Sequence, residues 1–174
     1  MIKETLVKTQ GTAANASEFV SKIQTAMRKS DSTNKGFFVI LLQLQNIDQF
    51  KKKRPSHVLN SLYRELFYSI RQAVHPSQFV GIFENGLGLV FDNIDVGQVD
   101  TIARRLVVLT QQVIRNGKYN DLASRWTDIV YDFLFPNKPM LLMPKVGWSI
   151  YPRDGATPLE LISRAYHHST ELSK

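Results

Sequence analysis

Hydrophobic residues recur along this chain with two different periods, and the change from one period to the other predicts the order of its elements. Phe37 to Leu42 is a continuous apolar run, and polar alternation resumes only at the glutamines that follow it. Such a run is typical of a central strand that is covered on both faces. Apolar residues spaced three or four apart predict amphipathic helices over about 17–29, 56–74, 96–113 and 158–172.

A β-hairpin is predicted in the middle of the chain. The apolar runs 78–83 and 87–91 flank Glu84-Asn85-Gly86, and an Asn-Gly pair between strands indicates a type I′ turn, which needs positive φ at both central residues. Another strand is predicted from about Lys145, and a turn at Pro152–Gly155 follows it. The order helix, strand, helix, hairpin, helix, strand, helix predicts an α/β sandwich with a central mixed β-sheet flanked by helices.

The two ends of the pattern set the expected domain limits. Residues 1–14 are a polar leader, and residues 15–174 are expected to form one domain. Within it, residues 118–140 carry several aromatic residues and two prolines without a clear period. These aromatic residues would either form a docking patch for a partner or pack over the sheet.

Composition narrows the function classes. The 174 residues are 43% hydrophobic, which is enough for a packed core, and the absence of cysteine excludes disulfides and thiolate metal sites. No apolar run reaches the roughly 20 residues of a membrane span, and a cytoplasmic location is expected. The net charge is +7, but the one dense basic run, Lys51–Arg54, lacks interleaved aromatics. No nucleic-acid partner is therefore predicted.

Three segments, taken in order, resemble one family. Asn46-Ile47-Asp48-Gln49-Phe50-Lys51 looks like a D-x-D-x-F-K segment after a first strand, and Phe79–Phe83 looks like the strand that leads into a signature hairpin. Val146–Gly155 resembles the strand and turn S-I-G-I-A-x-Y-P-x-D-G. Together they resemble the GGDEF domain of diguanylate cyclases, which implies a nucleotidyl-cyclase-like sandwich with the hairpin at the signature position.

The resemblance also implies that the catalytic residues are missing. The five signature positions read Glu84, Asn85, Gly86, Leu87 and Gly88, so both acidic positions are lost and both glycine positions carry side chains. The family's metal-binding positions fall on Asn46 and Asp48, which leaves one carboxylate for chemistry that uses two hard metal ions. The resemblance therefore implies a vestigial nucleotide loop, no metal or other cofactor, and no enzyme activity.

Two further sites of the family are altered. Its product-inhibition motif, R-x-x-D, falls on His75-Pro76-Ser77-Gln78, so binding of cyclic di-GMP by that route is not expected. Lys51 and Lys52 lie close to where the family's triphosphate lies, and they are either anion contacts or part of a solvated helix end. Asp48 could also join Asp92 or Asp95 in a carboxylate cluster, although cap and loop roles are the simpler interpretation.

The sequence leaves three functions open. The first is an inactive GGDEF-like domain that binds a protein partner or itself, as an interaction or regulatory module in bacterial cyclic-di-GMP-type signalling. The second is a non-catalytic sensor of GTP or a related nucleotide. The third is residual diguanylate cyclase activity. The first is favoured because an intact core pattern stands beside an emptied catalytic loop.

Overall fold

The computed structural model describes residues 16–53, 56–83, 86–92, 95–116 and 142–168, without the side chains of Gln49, Lys52 and Lys53. The polar leader, the segment 118–140, Glu84, Asn85 and the side chain of Lys52 lie outside this description, and what the sequence predicts for them stays a prediction. No helix in the described ranges has the length and apolar character that crossing a membrane requires.

The described ranges contain five α-helices, four strands and one 3-10 turn. The helices are α1 Ala16–Thr33, α2 Ile47–Lys53, α3 Ser56–Ala73, α4 Val99–Asn116 and α5 Pro158–His168. The strands are β1 Phe37–Gln45, β2 Phe79–Phe83, β3 Gly86–Phe91 and β4 Met143–Tyr151. The 3-10 turn Val96–Gln98 leads into α4.

The strands form one sheet in the order β2-β3-β1-β4. The predicted α/β class is confirmed. All three pairings of the described strands are antiparallel, so this part of the sheet is antiparallel and not mixed as predicted. The reason is topological. β1 and β2 run in the same direction across the helices that connect them, but β3 folds back and lies between them. The result is the β-α-β-β-α-β arrangement of a split βαβ unit.

Strand β1 is buried on both faces, as its apolar run predicts. Phe38, Ile40 and Leu42 point to one side, where they pack with the buried residues of α3 and α4. Their neighbours Val39 and Leu41 point to the other side, where α1 and α5 cover the sheet. The fold is thus a three-layer sandwich. Each fully buried large side chain contributes roughly 1.5–3 kcal/mol of transfer free energy.

Helix α1 extends to Thr33, so the helix end predicted at about residue 29 is wrong by one turn. Two short hydroxyl side chains find partners at this end of the helix, one within the last turn and one just beyond it. The Oγ1 of Thr33 donates to the carbonyl of Lys29 at 2.8 Å, and the Oγ of buried Ser30 donates to the carbonyl of Lys35 at 2.6 Å. The helix ends at Asn34, whose φ of 54° is the left-handed conformation common after helix C-termini.

The turn between β4 and α5 is fixed by Asp154. Its Oδ2 accepts a hydrogen bond from the amide of Ile150 at 2.8 Å, and its own amide donates to the carbonyl of Ile150 at 2.8 Å. The guanidinium of Arg153 donates to both carboxylate oxygens at 2.9 Å. Burial alone raises the pKa of Asp154, but these hydrogen bonds and the positive charge of Arg153 outweigh it, so the pKa is lowered.

This geometry predicts how Asp154→Asn changes stability with pH. The folded pKa lies below the unfolded value of about 3.9, so the carboxylate stabilises the fold at neutral pH. That contribution is lost as the pH falls through the folded pKa. We expect Asp154→Asn to lower the free energy of unfolding by about 1–3 kcal/mol at neutral pH. In acid, the free energies of unfolding of the variant and the parent should become more similar.

Urea denaturation of both proteins, at neutral pH and below about pH 3, measures the difference in their free energies of unfolding under each condition. Asp100→Asn is the matched control, since it removes an exposed carboxylate from the first turn of α4, at a cost below about 1 kcal/mol. A difference for Asp154→Asn that stays constant from neutral to acid pH would contradict the assignment.

Candidate functional site

The candidate site lies at the end of the sheet where β1 finishes and β3 begins. Gly86 pairs with Gln43, three residues before Asn46 in the chain. Asn46 follows β1 directly with a φ of 62°, and this left-handed residue turns the chain into α2, which carries Asp48. The sheet therefore brings the described signature positions and the Asn46–Asp48 segment to the same end of the molecule.

Asp48 is the acidic side chain that the sequence places at this site. Its side chain is 83% exposed, and its Oδ1 lies 3.9 Å from the Nζ of Lys51. An exposed pair at this distance contributes at most about 1 kcal/mol to stability. In the described ranges, no three His, Cys, Asp or Glu side chains are grouped closely enough to hold a metal ion.

Gly86 belongs to strand β3 and not to the centre of the turn, so its predicted place in the turn is wrong. It is paired with Phe83 on one side and with Gln43 on the other. A Cβ at this position would lie 1.9 Å from the carbonyl oxygen of Leu42 and 2.9 Å from its carbonyl carbon. The glycine is thus required because β3 lies against the backbone of β1 at this point.

The next two signature positions are also part of the packed sheet. Leu87 is 1% exposed and belongs to the core beneath α3 and α4. Gly88 lies on the opposite face, where the ring of Phe19 from α1 covers it, and a Cβ there would come within 2.7–2.8 Å of three ring atoms. Phe19 is itself fully buried and contacts the ring of Phe83 with centroids 4.9 Å apart. None of the three described signature positions carries a side-chain oxygen.

Tyr63 is a candidate residue that the sequence analysis missed. It lies on α3, where it reads as one more apolar neighbour of the buried stripe, and no motif marks it. Its hydroxyl is buried and has no hydrogen-bond partner among the described residues. Burial raises the pKa of Tyr63, and the negative charge of Asp48 raises it further. A buried phenol that has no hydrogen-bond partner in the described ranges is therefore in its neutral form and is influenced by the charge of Asp48.

The alternative cluster of Asp48 with Asp92 or Asp95 does not form. Asp92 follows the far end of β3, roughly 20 Å from the Gly86 end at about 3.4 Å per residue, and it pairs with the Nζ of Lys29 at 2.6 Å. The Oδ1 of Asp95 accepts from the amide of Gly97 at 2.9 Å and caps the 3-10 turn. Both carboxylates therefore have the structural roles that the simpler interpretation gives them.

The positions of the product-inhibition motif, His75 to Gln78, hold the loop before β2 in place. Gln78 is 5% exposed, and its side chain bonds both backbone groups of Asp92, accepting from the amide at 2.9 Å and donating to the carbonyl at 3.1 Å. Arg71 at the end of α3 donates to the carbonyls of Gln78 and Pro76, both at 2.7 Å. These side chains are engaged within the protein.

Comparison with known proteins gives a clear result for structure only. No protein-family model matches the sequence. No curated protein matches it either. Among solved structures, a sensory box/GGDEF family protein from Caulobacter crescentus matches with a TM-score of 0.66 at 15% identity, over 92% of this chain and 93% of that one.

Two other solved structures add detail. The coiled coil and GGDEF domain of DgcB from Caulobacter crescentus, in complex with c-di-GMP, matches with a TM-score of 0.69 at 12% identity, over 92% of this chain and 76% of that one. The diguanylate cyclase SiaD from Pseudomonas aeruginosa, in complex with its activator SiaC, matches with a TM-score of 0.65 at 10% identity, over 92% and 55%. At these identities the likeness concerns the fold, and the chain has a GGDEF-like fold.

Proposed function

We propose that this chain is a catalytically inactive GGDEF-like domain that acts by binding a protein, as an interaction or regulatory module in bacterial cyclic-di-GMP-type signalling. The observation that carries the proposal is the packing of Gly86, Leu87 and Gly88. Gly86 lies against the backbone of β1, and Leu87 is in the core. Gly88 is covered by the ring of Phe19. These positions have no side-chain oxygen for a metal ion, and all three residues are buried.

The chemistry of phosphoryl transfer explains why this packing matters. Divalent metal ions must neutralise the phosphates, and Mg²⁺ is bound through carboxylates and other oxygens. In the described ranges, the resemblance assigns one carboxylate to metal binding, and that is Asp48. Its side chain is exposed to solvent beside Lys51. A single exposed carboxylate does not fix two metal ions in place.

Partner binding is consistent with what the fold does elsewhere. SiaD, which shares the fold, was solved in complex with its activator protein SiaC. A domain of this fold that has lost its own chemistry could keep such a role, since the sandwich and its helical surfaces do not depend on the nucleotide loop.

The test is incubation of the purified chain with GTP and Mn²⁺, followed by chromatography for cyclic di-GMP. We expect no product above the level found with Asp48→Ala, the matched control that removes the remaining carboxylate. Because contaminating cyclase would give equal product in both preparations, only product that depends on Asp48 counts. Product from the parent that is absent from Asp48→Ala would overturn the proposal.

Tyr63 supports a second candidate, a nucleotide sensor without turnover. Its buried hydroxyl has no partner among the described residues and lies near Asp48, and such a group gains free energy when a ligand supplies an acceptor. This candidate differs from the first in one observable, which is saturable binding of GTP without formation of product.

A further inference from the structure

Helices α3 and α4 lie side by side over one face of the sheet and leave their outer sides exposed. They are in contact with each other, and they are antiparallel because each returns along the sheet from one of the antiparallel strands β1 and β3. Their inner sides are buried in the core. Five residues on these outer sides are exposed and together are called the arginine face: Arg64, Tyr68, Arg104, Arg105 and Val108.

Two large apolar side chains of the arginine face are open to solvent. Tyr68 is 54% exposed and Val108 is 53% exposed, and in the described ranges Leu159 is the one large hydrophobic residue that is more exposed. The ring of Tyr68 lies edge-on against the ring of Phe67 with centroids 5.6 Å apart. Because Phe67 is packed against the core, Tyr68 is held in a defined position, which lowers the entropy cost of using it as an anchor.

Helices α3 and α4 carry a net positive charge, and arginine alone supplies it. They contain five of the chain's ten arginines and none of its twelve lysines, against two acidic residues, Glu65 and Asp100. Arg64, Arg104 and Arg105 form no ion pair with any residue that the structure describes. Arginine is enriched and lysine depleted at protein interfaces, since the planar guanidinium binds carboxylates through two hydrogen bonds.

We propose that the arginine face binds an acidic amphipathic helix of a partner protein. Tyrosine and arginine are, with tryptophan, the residues enriched at the energetic centres of interfaces, and both types are exposed on these two adjacent helices. The carboxylates of such a helix would pair with Arg64, Arg104 and Arg105, while its apolar side would cover Tyr68 and Val108. A nucleic acid would satisfy the arginines but would leave Val108 without an apolar partner. This proposal rests on the proposed function and names the surface that performs it.

The experiment uses a fluorescein-labelled amphipathic peptide of about 18 residues, long enough to form a helix, with leucines on one side and glutamates flanking them. Binding to the full chain is measured by fluorescence anisotropy at low and high salt. We expect saturable binding that weakens with salt and falls about tenfold or more in Tyr68→Ala and in the double variant Arg104→Glu/Arg105→Glu. Amide NMR shifts on addition of the peptide should be concentrated in α3 and α4.

Matched controls come from the opposite layer of the sandwich. Lys22→Glu on α1 reverses an exposed charge, and Leu159→Ala on α5 removes a hydrophobic side chain that is 73% exposed. Both should leave the affinity within about twofold of the parent, because neither lies on the arginine face. Circular dichroism of each variant confirms that it is folded.

Three results would overturn the proposal: no binding of the peptide, equal loss of affinity in the control variants, or tighter binding of single-stranded DNA of the same charge to this face. Any of them would remove the arginine face as an acidic-helix site. The proposed function would stand or fall separately, since it is decided by whether cyclic di-GMP forms in an Asp48-dependent way.

Discussion

Gly86→Ala should lower the free energy of unfolding by about 3 kcal/mol or more, among the largest effects of any single methyl group in this chain. The added Cβ would lie 1.9 Å from the carbonyl oxygen of Leu42, and its nearest neighbours are backbone atoms of β1, not the end of a flexible side chain. To relieve the overlap, β3 would have to move away from β1, which would weaken the central antiparallel pairing between Leu42 and Leu87.

Gly97→Ala is the control for this prediction. It adds the same methyl group, but the nearest atoms, those of the Asp95 carboxylate, are 3.4 Å away or more, which is ordinary contact. We expect it to change stability by about 0.5 kcal/mol or less. Both variants are compared with the parent by urea denaturation, and equal effects of the two substitutions would show that β3 is not held against β1 in this register.

Phe19→Ala should destabilise the protein by about 3–5 kcal/mol, the usual cost of removing a buried aromatic ring. Phe19 is fully buried between α1 and the hairpin. Its ring is stacked on that of Phe79 at a centroid distance of 6.1 Å and tilted against that of Phe83 at 4.9 Å. It also covers Gly88, where a Cβ would come within 2.7 Å of the ring. The ring of Phe19 therefore fills the space that a side chain at position 88 would occupy.

Because the Cβ added at Gly88 would overlap the ring of Phe19, the two substitutions together test this contact more sharply than either one alone. Gly88→Ala should be destabilising in the parent and nearly neutral in the Phe19→Ala background, because the overlapping ring is then gone. The double-mutant cycle should give an interaction energy of about 0.5–3 kcal/mol. The same cycle between Phe19→Ala and Gly97→Ala should be additive, and additivity in the Gly88 cycle would contradict the contact.

Most of the secondary structure could be predicted because it depends on local patterns. The continuous apolar run of β1 required burial on both faces, and the layers of helices supply it. The hairpin also followed from the two apolar runs around a polar turn. The extension of α1 to Thr33 could not be predicted from residue type alone, since serine and threonine favour loops unless their hydroxyls find partners at the helix end. Here Thr33 bonds back to Lys29 within the helix, and Ser30 bonds to Lys35 just beyond it.

The site was predicted less completely, because its meaning depends on contacts between distant parts of the chain. In the sequence, the resemblance makes Gly86 a lost acidic position and Gly88 the last of the five signature positions. In the structure they are the points where β1 and Phe19 approach β3 most closely. Nothing near Gly88 in the sequence indicates that a ring about 70 residues earlier covers it, and nothing distinguishes the hydroxyl of Tyr63 from any other tyrosine on a half-buried helix face.

We propose that this end of the sheet does not hold a magnesium–nucleotide complex. The most direct measurement is an amide NMR titration of the folded chain with GTP and Mg²⁺, followed at Asn46, Asp48, Gly86 and Gly88. The account predicts no saturable shift at these residues up to millimolar ligand. Saturable shifts centred on Gly86 and Gly88 that disappear in Asp48→Ala would contradict it.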